Sequence, residues 1–410
     1  MEEHRRWRAV WGFTVSLALV AAACGDGHGD GGGGTNGFKF GMILVGAQDD
    51  HGWSQAHFEA GLYLLERLGL PADAMIVLDK VNPADRPETS IESVVDDMVA
   101  QGARLIFATS DDMKDGIEAA AAAHPDVPMI WSSGDSAWSE GKDYRADLTN
   151  LGNIMGRMEY GKMIAGCAAA LTTRSDKIAY LGPLINDETR RLVNSAYLGA
   201  RYCYENYRSE DRPALRFEVK WIGFWFNIPG VTSDPTEVTD ELLAAGADVV
   251  ISGLDTTEAL VRVAEVADAG EAAWALPYNF AGACAGAPEV CVGVPYFNWG
   301  PAYLDTARSV IDGQFEAEWL WLGPDGDDIN DRDRSAVGFL PGDGLSGAAA
   351  NSLDDFIAGL GDGSIQLYVG PLQWQDGTPF LADGERATDF QIWYTEQLLE
   401  GIIGASAASG

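Results

Sequence analysis

Between residues 49 and 58 the chain reads Asp49-Asp50-His51-Gly52-Trp53-Ser54-Gln55-Ala56-His57-Phe58. Three chemistries are open to such a set: a metal held by carboxylates and imidazoles, a hydroxyl nucleophile activated by an imidazole, or a small molecule lying on an aromatic plate among hydrogen-bonding groups. The metal reading fails on geometry, because the spacing of His51 and His57 at a helix start does not put both rings on one face. The nucleophile reading has one further candidate, Gly134-Asp135-Ser136, similar to the nucleophile block of one esterase class. All five histidines lie at or before His124, however. None follows Ser136, which excludes the Ser…Asp…His order of that class and of the α/β-hydrolases.

Two other catalytic patterns also fail. Gly156-x-x-x-x-Gly161-Lys162 has the glycine and lysine spacing of a phosphate loop, but Met163 stands where a hydroxyl holds magnesium, and the segment reads as helix. A glycosidase needs two facing carboxylates, and among 62 acidic residues no pair is singled out. No catalytic residue, metal or cofactor is expected. The binding chemistry remains.

The elements that position this loop are strands alternating with amphipathic helices. Apolar runs at 38–45, 75–78, 105–108, 129–132, 177–181, 217–222, 249–252 and 274–277 read as strands. Helical periodicity fills the gaps, as at 91–100, 156–171 and 237–245. Apolar strands alternating with helices imply parallel sheets covered on both faces, an α/β class. Eight units over 410 residues predict two doubly wound lobes. In such sheets ligands sit beyond the carboxyl ends of the strands, which is where the 49–58 loop falls. Lobe 1 is expected over 38–149, completed by about 296–340, and lobe 2 over 150–295, completed by about 365–404. The acidic, Gly-rich stretch 316–364 lacks the order of a calcium loop and reads as a solvated surface excursion.

The amino terminus has a different character. Arg5, Arg6 and Arg8 precede the apolar run 11–23, too short to span a bilayer, which ends in small residues before Cys24. Residues 1–23 read as an export signal. Residues 24–37 read as a flexible Gly/Asp tether. With 27 basic against 62 acidic residues the formal net charge is −35, which repels nucleic acid and anionic lipid. Setting Cys24 aside leaves Cys167, Cys203, Cys284 and Cys291, an even number in an exported chain. Cys284 and Cys291 are placed to close a small loop. Cys167 and Cys203 either bridge two helices or remain buried thiols.

Several segments carry a resemblance to a known family. Leu19-Val20-Ala21-Ala22-Ala23-Cys24 resembles a bacterial lipobox, with alanine at position 21 where leucine is commoner. The 50–57 segment resembles the first binding loop of the basic membrane protein family, the PnrA-like lipoproteins, which are purine-nucleoside-binding components of ABC importers. The likeness continues in order through 105–110, 221–227, 298–303 and 370–377, covering roughly 38–404. It implies a type I periplasmic-binding fold, two lobes hinged by three crossovers, a lipid anchor on Cys24, a membrane permease as partner, and a location on the outer side of the cell membrane. A monomer that closes on its ligand is expected.

A purine offers two π-faces and an edge of donors and acceptors, and a ribose offers vicinal hydroxyls. Trp53 or Phe58 and Trp225 are therefore expected to sandwich a base. Asp50 and Ser54 face the ligand, or Asp50 caps the helix. His57 bonds the base edge or packs as a neutral core ring. Ser110 binds or caps, and Asp255 binds a ribose-type hydroxyl or caps. Arg191 and Asn194 match a family Arg-x-x-Asn, with plain surface placement as the alternative. Trp299 lines the cleft or belongs to the hinge core. Asn279 stands where many relatives carry aspartate, and Asp111 and Asp112 stand where they carry glycine or an aromatic. A receptor of the same fold for a sugar or other polar solute, and an exported nucleoside hydrolase, are the rival functions.

Overall fold

Strands buried from end to end, such as Phe40–Ile43, Met129–Ser132 and Val249–Ser252, can only lie inside sheets covered on both faces, and they do. The computed structural model describes residues 37–209, 211–366 and 368–407. The signal segment, Cys24 and nearly all of the tether lie outside them.

The first sheet is built from β1 (Phe40–Ile43), β2 (Met75–Leu78), β3 (Ile106–Ala108), β4 (Met129–Ser132) and β5 (Leu151–Gly156). The second holds β6 (Lys177–Gly182), β7 (Arg216–Trp221), β8 (Val249–Ser252) and β9 (Trp274–Leu276). Connecting helices are α1 (Trp53–Leu68), α2 (Ile91–Ala100), α3 (Lys114–Ala123), α4 (Met158–Thr172), α5 (Asp187–Tyr207), α6 (Pro235–Ala244) and α7 (Glu258–Asp268). The chain then returns through β10 (Gly293–Phe297), α8 (Gly300–Ile311), β11 (Trp319–Leu322), β12 (Val337–Pro341) and α9 (Gly347–Gly361). The hairpin β13 (Leu372–Gln373) and β14 (Pro379–Leu381), the short α10 (Asp389–Trp393) and β15 (Ile402–Ile403) end it.

Sheet order is β11-β5-β4-β3-β1-β2 in one lobe and β15-β7-β6-β8-β9 in the other. Every pairing within these two sheets is parallel. In both, the chain steps from a central strand first to one side and then to the other, at β1 and at β6. Those strand ends are the switch points where a crevice opens.

Two expectations are corrected. Residues 151–156 were expected to begin the second lobe, yet β5 pairs with β4, so the chain leaves the first sheet only after Gly156. The stretch 316–364 is no surface excursion, since β11 pairs with β5 and β12 pairs antiparallel with β10.

Behind the site, α4 and α5 pack at close range. A Cβ at Gly166 would lie 1.8 Å from the Ala196 carbonyl, and one at Gly199 would lie 1.9 Å from that of Met163. Only glycine permits that approach. The sulfurs of Cys167 and Cys203 join these two helices at 1.94 Å, and those of Cys284 and Cys291 close the loop after β9 at 2.02 Å. Among the described residues no helix is long and apolar enough to cross a membrane.

Candidate functional site

The β1–α1 loop is shaped by Asp50. Its carboxylate accepts the backbone N–H of Gly52 at 2.9 Å and of Ser54 and Gln55 at 3.0 Å each, so it satisfies free donors at the start of α1. Ser54, fully buried, accepts the Gly46 N–H at 2.8 Å and pins the loop to the strand end. With the loop held this way Trp53 turns toward the crevice. Its indole Nε1 donates to the Thr109 carbonyl at 2.6 Å, and its ring meets Phe297 and Trp299 edge-on, with centroids 5.4 Å apart in each case.

The crevice is a narrow cavity lined by Trp53, Ser110, Asp111, Ser133, Glu188, Trp225, Asp255 and Tyr278. Each follows the carboxyl end of a parallel strand: β1, β3 and β4 in one lobe, β6, β7, β8 and β9 in the other. The lobes touch directly here, with the Trp53 N–H 3.4 Å from the Asp255 carbonyl oxygen. Outward, Asp111, Ser133 and Glu188 also border a wider, more open chamber that includes Lys114, Asp135, Arg191, Trp393 and Tyr394.

Three carboxyl groups converge on the cavity. Burial pushes Asp111 up to about 6, helped by the charge of Asp112, and pushes Glu188 up to about 7. Burial also raises Asp255 well above the carboxylate range, with Asp50 and Glu188 adding to it. The Asn279 amide, in a left-handed backbone conformation (φ 75°), donates to Asp255 Oδ1 at 3.1 Å. Ser133 is also left-handed (φ 72°), and its buried hydroxyl has no partner among the described residues. A non-glycine residue held there marks a site whose surroundings over-determine it. Acceptors around aromatic rings suit an uncharged planar or polyhydroxyl molecule rich in donors and disfavour an anion.

The residues proposed from sequence divide accordingly. Trp53, Ser110, Trp225 and Asp255 line the cavity, although the Ser110 hydroxyl also caps Asp112 at 3.3 Å. Asp50 is a helix cap rather than a cavity wall. Ser54 and Phe58 pack away from the cavity, Phe58 half-buried against the core.

His57 takes the core alternative. Fully buried, it stacks on Trp299 at 4.3 Å, its Nδ1 lies 2.7 Å from the Tyr303 hydroxyl, and desolvation holds it well below its ordinary range. Trp299 is core with it, stacked on Phe297 at 4.7 Å. Arg191 is buried and pairs with Glu159 at 2.5 Å while donating to the Trp393 carbonyl, so it walls only the outer chamber. Asn194 bonds Gln397 and Leu399, anchoring the returning chain to lobe 2. Asn279 stands behind Asp255.

Sequence reasoning missed Ser133, Glu188 and Tyr278 as lining residues and treated Asp111 only as a departure. Their position just past strand ends was the available signal, and it applied equally to residues that face the core. Among the described residues no group of three or more His, Cys, Asp or Glu side chains is arranged to hold a metal.

A family model described as ABC transporter substrate-binding protein PnrA-like matches residues 38–255. The chain is 26% identical over 354 residues to a purine-binding protein of Brucella abortus (strain 2308), spanning 86% of this chain and 89% of that protein. It is 27% identical over 281 residues to a putative ABC transporter glucose-binding protein of Haloferax volcanii, spanning 68% of this chain and 63% of that protein. Among solved structures, an ABC transporter solute-binding protein from Aeropyrum pernix K1 superposes with a TM-score of 0.61 at 14% identity, covering 81% of this chain and 93% of that one. That likeness shows a shared fold of the type I periplasmic-binding kind.

Proposed function

Because the chain belongs to the PnrA-like family of ABC transporter substrate-binding proteins, we propose that it captures a purine nucleoside or nucleobase between its lobes and presents it to a membrane permease. The observation that carries this is the pairing, in one cavity, of aromatic rings from both lobes (Trp53 from one, Trp225 and Tyr278 from the other) with acceptor groups at Asp111, Glu188 and Asp255. A flat heterocycle uses the rings, and its N–H groups or a ribose's hydroxyls use the carboxylates. The kinship with a purine-binding protein over most of both chains supports the same reading. Cys24 would carry the lipid that keeps the protein at the outer membrane-water surface, ahead of a flexible tether.

The rival with an observation of its own is a sugar receptor. Carboxylates also pair with vicinal hydroxyls, tryptophan also covers an apolar sugar face, and one relative is named a glucose-binding protein. A thermal-shift screen with adenosine, guanosine, inosine, the free bases and common sugars separates the two, because a ligand that binds only the folded state raises the midpoint by mass action. Purines are expected to raise it. A rise with sugars alone would end the purine reading, and recovery of intact ligand would exclude hydrolysis.

A further inference from the structure

Lys162 on α4 is fully buried, an uncommon place for a lysine, and the binding reading above makes no use of it. Its Nζ donates to the Ser252 carbonyl at 2.7 Å, at the end of β8. The same nitrogen lies 3.4 Å from the centroid of the Tyr278 ring and 5.3 Å from that of Tyr180. Asp255 and Glu188 are the charges that act on it, and no carboxylate pairs with it directly among the described residues. Burial pulls the amine well below its ordinary range even with those two groups acting to raise it. Around Nζ, however, the partners are a carbonyl oxygen and a ring face, with two carboxyl groups beyond. An ammonium, which has N–H donors and no lone pair, gains from all of them at once.

Tyr278 lines the cavity, and Lys162 occupies one face of its ring. We propose that Lys162 is a specificity-setting positioning residue: by seating its ammonium on Tyr278, it draws electron density from the ring that the ligand meets and so favours an electron-rich, uncharged heterocycle. Two contacts carry the effect. The ring face left to the ligand is poorer in π-density and stacks better on an electron-rich ring, and the polarised phenol O–H donates more strongly to a ligand nitrogen or oxygen. The ammonium also offsets the negative charge of Glu188 where it ionises, which would otherwise select a cation. This inference rests on the planar-ligand reading above.

The test is a titration-calorimetry comparison of purine ribosides that differ only at position 2 (amino, hydrogen, fluoro) on wild-type protein and on Lys162→Met, Lys162→Gln and Lys162→Arg. Gln keeps a donor for the Ser252 carbonyl without a charge, so it reports even where Met does not fold. Steric preferences for the substituent cancel in the ratio between proteins. The neutral variants are expected to lose about tenfold in preference for the amino over the fluoro compound, and Arg is expected to restore it. If the wild type binds the ribosides and the neutral variants keep its preference, this inference falls while the purine reading stands. If the wild type binds neither these ribosides nor the corresponding free bases, both fall together.

Discussion

Closure of the two lobes can be tested at Gly52. A Cβ built on this residue would lie 1.6 Å from the Asp255 carbonyl oxygen and 2.6 Å from its carbon, so the helix start of one lobe rests directly on the strand end of the other. Normal contact for such a pair is about 3.5 Å, so Gly52→Ala must open the cleft there by roughly 2 Å. That displacement separates the Trp53 N–H from the Asp255 carbonyl and removes one wall from any ligand held between Trp53 and Trp225. Losing burial of about one aromatic contact face costs about 2–3 kcal/mol, or roughly 30- to 150-fold in Kd. Calorimetric titration with the ligand found in the thermal screen reads the affinity, and small-angle scattering of the ligand-bound protein reads the opening. The ligand-free thermal midpoint should stay close to wild type, because each lobe keeps its own core. A Gly52→Ala protein that binds within about threefold of wild type and scatters identically would refute the idea that ligand capture requires this contact. Gly286→Ala, where an added Cβ meets nothing nearby, is the control.

Burial raises Asp111 and Glu188 above their unfolded values, so the stability they contribute is complete below the unfolded carboxyl range and is lost as pH rises through about 6 to 7. A ligand that donates to these groups is held more strongly by the ionised carboxylate than by the neutral acid. Its Kd, measured from pH 5 to 8, should therefore tighten as pH rises, and Glu188→Gln should flatten the upper part of that curve. A pH-independent Kd in wild type would count against it. Arg191→Met strands the buried Glu159 carboxylate and is expected to cost about 3–5 kcal/mol in urea unfolding, with Glu159→Gln in the same protein recovering most of it; a loss below about 1 kcal/mol would contradict a structural role. Asn279→Asp sets a second carboxylate beside Asp255, where the amide now donates at 3.1 Å. The thermal midpoint should then fall more at pH 8 than at pH 5, and an equal change at both would show that the two groups do not interact.

The α/β class, two parallel sheets and the strand-end loop at 49–58 are legible in the residues, because an apolar strand buried on both faces and a helix start rich in polar groups are local patterns. The sequence also carried enough family likeness to place the chain among extracytoplasmic solute receptors. It left β5 and β11 unread, since Leu151–Gly156 is broken by glycine and asparagine and Trp319–Leu322 is surrounded by acidic residues. Tertiary structure alone decided which side chains face the cavity. Asp50 and Asp255 both follow strands, yet the backbone of α1 claims the first carboxylate while the second meets the opposite lobe. His57 went to the core because Tyr303 and Trp299, nearly 250 residues away in the chain, close over it. Convergence across two lobes is a product of long-range packing, which no local spacing encodes. So the 49–58 loop announced a binding site, but only the closing of the second lobe over it selected Trp53 from that loop and brought Glu188, Asp255 and Tyr278 to meet it.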